Sequence, residues 1–363
     1  MTDEFYIKRA IELARKGIGH VSPNPLVGAV IVKDGTIVGK GYHQRYGEAH
    51  AEVNAIRDAG ESARGATLYV NLEPCCHQGK TPPCTEAIIH AGIRRVVVGM
   101  VDPNPLVNNL GISCLRDHGI DVTAGIAAGE CEELNKVFIK YMKTGLPYIT
   151  IKIAQTIDGR IATQSGHSKW ITSPEARTVV HRLRSENDGI VIGVRTGRLD
   201  NPSLTVRRIA GENPFRIVLD SQLSIPEDSK LLNDKFTELT IIATASGDVH
   251  KKERIRRYGA RLWELPSSRD GYLSLTALLE KAASEKLSSL LVEGGSEVFT
   301  SFLREKLADY IAFMIAPKIS GSGINAIGDL NIFKIDHSIT LNKIKLERAG
   351  EDIVLFADIK YPR

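Results

Sequence analysis

His50-Ala51-Glu52, then a strand-like stretch, then Pro74-Cys75-Cys76-His77-Gln78-Gly79-Lys80-Thr81-Pro82-Pro83-Cys84, decides how this chain is read. One imidazole and two thiolates give a zinc ion three protein ligands, and an open fourth position separates a reactive zinc from a structural one. His50, Cys75 and Cys84 are the expected ligands, Cys75 being preferred to Cys76 because it directly follows Pro74. Glu52, two residues past His50, is placed to move protons without binding the metal. The competing reading is a closed structural site with Cys76 or His77 in the fourth place, but it leaves Glu52 idle. His50 and Glu52 open one helix and Cys84 opens another, and the positive end of a helix stabilises a thiolate.

Outward from this site, residues 1–145 read as an α/β domain. Helices are expected over Ile7 to Lys16, His50 to Ala59, Thr85 to Ala91, Ile112 to His118 and, as one long element, Glu130 to Lys143. Strands are expected over Ala29 to Val32, Thr36 to Gly41, Thr67 to Leu72, Arg95 to Met100 and Asp121 to Ala124, with Asp34-Gly35 as a hairpin turn. Such alternation implies a partly parallel sheet covered on both faces. Pro-Asn-Pro-Leu-Val occurs at 23–27 and again at 103–107, read as two rigid turns rather than a duplication. Near the site, Asn24 is either a turn residue or an amide aimed at a heterocycle. His43 is a ring or phosphate contact or a surface residue, and Lys80 a phosphate-binding or merely solvated loop lysine.

Lys143-Thr144-Gly145-Leu146-Pro147 marks the boundary to a second domain, 146–363. Its first strand is Tyr148 to Ala154, with a turn at Asp158-Gly159 and a helix capped by Ser173-Pro174. Further strands lie near Ile190, Arg216, Thr240, Arg261 and Ser289. Tyr310 to Ala316 and Ile344 to Ile359 look like added antiparallel strands on a mostly parallel sheet. Val292-Glu293-Gly294-Gly295-Ser296 reads as strand, two glycines and a helix start, which is either a pyrophosphate site or a plain turn. Ser168, Trp170, Arg184 and the stretch Thr196 to Arg208 form a second cluster, the stretch being read as a long irregular loop of the functional kind. Trp170 is a ring-stacking platform or a core residue.

The 363 residues are 42% hydrophobic and 25% charged with a net charge of +4, which describes an ordinary two-domain globular protein. No apolar run is long enough to cross a bilayer and the first residues lack a secretory pattern. Three of five cysteines cluster at the proposed metal site, arguing for metal binding in a reducing cytoplasm rather than disulfides. The run Lys251 to Arg257 reads as a solvated helix face rather than a nucleic-acid patch, and neither membrane nor nucleic acid is expected as a partner.

A His-x-Glu, a Pro-Cys and a later Cys resemble the layout of zinc-dependent nucleobase deaminases. More closely, the chain resembles the bifunctional deaminase–reductase family of riboflavin biosynthesis over nearly its whole length. The resemblance rests on Pro23 to Val30, His50-Ala51-Glu52, Glu73 to Cys84 and Asp102-Pro103-Asn104-Pro105. In the second half it rests on Lys152-Ile153-Ala154, Asp158-Gly159, Trp170-Ile171-Thr172, Asp200 to Arg207 and Val292 to Gly295. One departure is visible. Where the family has Val-x-Gly-x-Gly, this chain reads Val107-Asn108-Asn109-Leu110-Gly111.

The resemblance implies an α/β chain of two domains: an N-terminal cytidine-deaminase-like three-layer α/β/α domain, and a C-terminal dihydrofolate-reductase-like domain with a mostly parallel sheet and an antiparallel edge. It implies deamination of 2,5-diamino-6-(5-phosphoribosylamino)pyrimidin-4-one with Zn2+, then NADPH reduction of the ribosyl group to ribityl. By position, Ala154, Trp170, Thr196, Asp200 and the run Gly295, Ser296, Glu297, Val298, Phe299, Thr300 and Ser301 would hold NADPH. Ser168, Arg184, Leu204, Arg207 and Glu293 would hold the substrate, with Lys152 near the reacting sugar. A homo-oligomer is also implied. The rival functions are a nucleoside or tRNA-base deaminase with an inactive second domain, and a zinc-stabilised binding module without catalysis.

Overall fold

The computed structural model describes residues 1–105, 107–268 and 270–362. Leu106, within the second Pro-Asn-Pro-Leu-Val turn, lies outside the described residues. The chain divides into two compact units, Met1–Gly145 and Leu146–Arg363.

In chain order the first unit contains α1 (Asp3–Ala14), β1 (Gly28–Lys33), β2 (Thr36–Tyr42), α2 (Ala51–Ala59), β3 (Thr67–Leu72), α3 (Cys84–His90), β4 (Arg95–Met100), α4 (Leu110–Asp117), β5 (Asp121–Ala124), α5 (Ala128–Leu134) and α6 (Lys136–Thr144). The sheet order is β2-β1-β3-β4-β5, with β3, β4 and β5 parallel and β1 antiparallel to both its neighbours. Asp34 and Gly35 both take positive φ, 50° and 78°, the geometry that joins a tight hairpin. The strands carry Val30, Ile31, Leu68, Val70 and Val96 into one core with Ile7, Ala55, Ile88 and Ile112 from the helices.

The expected single helix from Glu130 to Lys143 is two helices. Asn135, at φ −102° and ψ 17°, breaks it. Its buried amide accepts from Leu26 N–H at 2.8 Å and donates to Leu26 C=O at 3.0 Å. Asn109 resolves the departure from the family pattern. It sits where the family has a glycine, takes φ +63°, and asparagine is the non-glycine residue that best tolerates that region.

The second unit contains β6 (Tyr148–Thr156), β7 (Arg160–Ala162), α7 (Pro174–Ser185), β8 (Gly189–Gly193), α8 (Val194–Asp200), β9 (Phe215–Leu219), α9 (Lys230–Asn233), β10 (Thr240–Thr244), α10 (Val249–Arg257), β11 (Arg261–Glu264), α11 (Leu275–Ser284), β12 (Ser289–Val292), α12 (Ser296–Arg304), β13 (Tyr310–Ala316), β14 (Ile324–Asn325), β15 (Thr340–Ala349) and β16 (Asp352–Lys360). Its nine-stranded sheet runs β11-β10-β9-β8-β12-β6-β13-β16-β15. Every pairing from β11 to β13 is parallel, and β16 and β15 add antiparallel pairings at one edge. Tyr310–Ala316, read from the sequence as an added antiparallel strand, is antiparallel to β16 but parallel to β6. The helix α12 between β12 and β13 supplies the crossover a parallel partner needs. Helix α7 covers one face through Ala176, Val180 and Leu183, and α11 and α12 cover the other through Leu278, Leu279, Phe299 and Phe302.

Candidate active sites

In the first unit, three element ends place the expected metal ligands together. His50 is the N-cap of α2, Cys75 follows the end of β3, and Cys84 begins α3. Their ligand atoms lie within 4.8 Å of one another. His50 presents Nδ1, 3.2 Å from Cys84 Sγ and 3.6 Å from Cys75 Sγ, while the Cys84 N–H donates to Cys75 Sγ at 3.4 Å. Among the described residues no further ligand joins this group, so Cys76 and His77 do not close it. The hydrogen bond with Cys84 holds Cys75 well below the usual thiol range, the same bond pushes Cys84 up, and the bond with Cys75 raises His50. One thiolate steadied by shared protons is a donor set from which a zinc ion would displace the remaining protons.

Glu52, in the first turn of α2, is 3% exposed, and its Oε2 has no hydrogen-bond partner. Burial pushes its carboxyl up to about 7, against the pull of the His50 charge. A buried unpartnered carboxyl oxygen beside three metal-ligand atoms is costly unless it serves a ligand. These residues fit a zinc ion with an acid next to it.

Asn24 and His43, two separate expectations, meet here. Asn24 Nδ2 lies 3.1 Å from His43 Nε2, and His43 Nδ1 lies 3.2 Å from Ala49 C=O. The Asn24 amide thus donates to Nε2, leaving Nδ1 to donate to Ala49. Burial keeps this imidazole below its ordinary range. Its ring packs edge-on against that of His50, centroids 5.2 Å apart. Lys80 is exposed, with Nζ 4.0 Å over the Tyr46 ring. A cleft of about 720 Å³ opens beside His50, lined also by Asn54 and Arg57, which the sequence reading missed.

In the second unit a cleft of about 1310 Å³ lies at the C-terminal ends of the parallel strands, where open α/β sheets bind ligands. It exceeds the roughly 300–1,000 Å³ of ordinary small-molecule sites, leaving room for a dinucleotide and a substrate together. At its centre Glu293, following β12, accepts two bonds from Arg184: Nε to Oε1 at 2.6 Å and Nη2 to Oε2 at 2.9 Å. Lys152 Nζ approaches Oε2 at 3.5 Å. Burial alone would raise the Glu293 carboxyl, but the two cations hold it at about 2. Lys152 behaves oppositely. Burial lowers it, the repelling Arg184 lowers it further, and one carboxylate at 3.5 Å does not offset them.

Gly294 and Gly295 form a cradle. A Cβ on Gly294 would fall 2.7 Å from Ile192 Cβ, and Gly295 takes φ +71° as the N-cap of α12. Bare backbone at a helix start lets a pyrophosphate approach. Thr196 Oγ1 lies beside Gly295, and Asp200 Oδ1 accepts from Ser168 Oγ at 3.3 Å. Part of the expected irregular loop is helical. Thr196 and Asp200 belong to α8, and the loop proper begins at Asn201. Trp170 is 63% exposed, so it is no core residue, and the Arg177 guanidinium sits 4.5 Å above its ring.

Not all the expected side chains face the cleft freely. Leu204, at φ +50°, is packed into a core with Ile190, Ile192 and Val218, so its main chain is what remains for a ligand. Phe299 is likewise core, and Thr300 Oγ1 is engaged with Ser296 C=O and Gly328 N–H. Ala154, Ser296, Glu297, Val298, Ser301 and Arg207 line the cleft. Missed by the sequence reading were Ser221 and Gln222 beyond β9, and Arg177 and His181 on α7. The spacing 177, 181, 184 behind the Ser173 cap was the available signal.

A thiol–imidazole metal centre backed by a buried acid, and a dinucleotide-sized cleft on a separate parallel sheet, define a two-domain enzyme of the deaminase–reductase class. A model of the cytidine and deoxycytidylate deaminase zinc-binding region matches residues 1–100, and a model of the RibD C-terminal domain matches residues 147–355. The riboflavin biosynthesis protein RibD of Aquifex aeolicus is 47% identical over 355 residues, covering 98% of both chains, and that of Escherichia coli is 40% identical, covering 98% of this chain and 99% of its own. A solved RibD of Acinetobacter baumannii superimposes with a TM-score of 0.89 at 35% identity over 99% of each chain. A diaminohydroxyphosphoribosylaminopyrimidine deaminase/5-amino-6-(5-phosphoribosylamino)uracil reductase of Thermotoga maritima does so with a TM-score of 0.86 at 36% identity over 98% of each. The chain belongs to the RibD family, the bifunctional deaminase–reductases of riboflavin biosynthesis.

Proposed function

We propose that the first unit hydrolyses the 2-amino group of 2,5-diamino-6-(5-phosphoribosylamino)pyrimidin-4-one, releasing ammonia. In this reading the second unit reduces the ribosyl group of the product to ribityl with NADPH. The observation that carries the first half is Glu52, buried with an unpartnered oxygen beside His50, Cys75 and Cys84. Those three residues would hold zinc, which when bound supplies the Lewis acidity that makes water a nucleophile near neutral pH. Glu52 takes the proton of the attacking water and delivers it to the departing amine. The Asn24–His43 pair presents fixed polar groups to the pyrimidine, and Lys80 serves the phosphate from the loop.

In the second unit Gly295 to Ser301, with Ala154, Trp170, Thr196 and Asp200, would hold NADPH, which supplies the hydride. Arg184, Glu293, Ser168, Arg207 and the Leu204 backbone orient the substrate, and Lys152 faces the reacting sugar. No helix among the described residues is long and apolar enough to cross a membrane. The basic run is α10, where Lys252 and Arg256 pair with Glu264, and Arg254 with Glu227, which supports a solvated face over a nucleic-acid contact. Exposed Phe333 and Leu346 support a homo-oligomer.

Glu52→Gln tests the deaminase half. The variant should keep one equivalent of zinc and release no ammonia from the diamino substrate. Full ammonia release by that variant would remove Glu52 from the chemistry, and a wild-type chain that binds zinc but releases no ammonia would reduce the site to a binding module. Addition of NADPH to the wild-type reaction should then consume cofactor in step with the deaminated product.

A further inference from the structure

Helix α7 places Arg177, His181 and Arg184 at i, i+4 and i+7, on one face, and all three line the larger cleft. His181 is 3% exposed. Its Nδ1 accepts the backbone N–H of Arg207 at 3.1 Å. A neutral ring whose Nδ1 accepts carries its proton on Nε2. Nε2 has no hydrogen-bond partner among the described residues, and it is not among the atoms sealed from solvent, so the donor opens on the cleft. Burial, reinforced by Arg184 and Arg207, pushes the ring down to about 4, which keeps it neutral at pH 7.

The charges around this donor favour an anion. Arg184 is paired with Glu293, but Arg207 has no carboxylate partner among the described residues, and Arg208 adds positive charge nearby. A phosphate monoester offers more acceptor positions than one guanidinium fills. A neutral N–H can take one of them without repelling the arginines.

We propose that His181 Nε2–H is a donor to the phosphate monoester of the reductase substrate beside Arg207. This rests on the reading of the cleft as the site of a phosphoribosyl compound. By accepting the Arg207 N–H, the same ring also ties the substrate loop to α7, so it contacts the anion and positions the guanidinium.

The test compares reduction of 5-amino-6-(5-phosphoribosylamino)uracil with that of its dephosphorylated analogue in the full chain. His181→Ala removes both ring contacts, whereas His181→Asn keeps an acceptor near the place of Nδ1 while its shorter amide brings no N–H to the place of Nε2. Both variants should raise KM for the phosphorylated compound roughly 10- to 100-fold, the effect of one hydrogen bond to a charged group. For His181→Asn, which keeps the loop contact, KM for the analogue should stay within about twofold, and the loss should fall on KM rather than kcat. An equal rise on both compounds would mean lost shape, not a lost phosphate contact, and overturns the proposal. An unchanged KM on both does the same. With histidine nitrogen labelled in the wild-type chain, inorganic phosphate should shift the His181 Nε2 resonance, and a resonance that stays put also overturns it. A wild-type chain that consumes NADPH with neither compound would instead sink the underlying reductase reading.

Discussion

Glu293→Gln keeps the shape of a side chain and removes its charge from a point where two cations converge. Arg184 reaches that carboxylate through bonds of 2.6 and 2.9 Å, and Lys152 stands 3.5 Å away. The Arg184 and Lys152 side chains are only 11% and 12% exposed, so neither recovers its water when the partner goes. The new amide would also turn N–H groups towards existing donors. The cost follows from proton linkage. The carboxyl stands at about 2 in the fold against an ordinary 4.5. At roughly 1.4 kcal/mol per pH unit, that gap amounts to about 3 kcal/mol of stability at neutral pH. Breaking a buried pair by removing one partner costs about 3–5 kcal/mol, which agrees. Because the folded value is depressed, the stabilisation is complete above about 4.5 and is lost as pH falls through about 2. Both tryptophans, Trp170 and Trp263, lie in the second unit, so their fluorescence during urea unfolding reports that unit alone. The variant should unfold about 3 kcal/mol more easily at pH 7, and its deficit should shrink as pH drops from 4.5 towards 2. A deficit below about 1 kcal/mol, or one that does not narrow in that window, would mean that Glu293 does not hold the two cations as described.

Three further outcomes are expected. Glu73 accepts the backbone N–H groups of Asp102, Asn109, Gly111 and Ile112, so Glu73→Gln sets an amide against two of them. It should cost the first unit about 2–3 kcal/mol in urea unfolding followed by circular dichroism. Gly294→Ala places a methyl 2.7 Å from Ile192 Cβ; it should destabilise the second unit by about 1–3 kcal/mol and weaken NADPH binding measured by titration. Stripping the metal with a chelator should abolish ammonia release until zinc is restored, while reduction of the deaminated compound by NADPH continues at its full rate.

The metal cluster was legible in the sequence because ligand chemistry is tied to residue type, and a thiolate or imidazole has few other reasons to recur beside a His-x-Glu. The hairpin at Asp34-Gly35 and the cap at Ser173 were legible for a similar reason: each is a local backbone requirement met by one or two residues. The break at Asn135 was not, since what interrupts that helix is Leu26, distant in sequence, whose backbone claims the asparagine amide. The direction of β13 was equally hidden, because the residues of a strand do not say whether its neighbour runs with it or against it.

Residue order alone therefore carried the two-domain α/β fold and the family, and it named the candidate donor residues and the acid beside them. Assembly in three dimensions decided which loops converge. It paired Asn24 with His43, set Arg184 and Lys152 on one carboxylate, buried Leu204 and Phe299, and turned His181 into the cleft. The physical reason is range. Propensity, capping and ligand spacing act over a few residues, whereas burial and charge pairing act between segments that only the packed chain brings together.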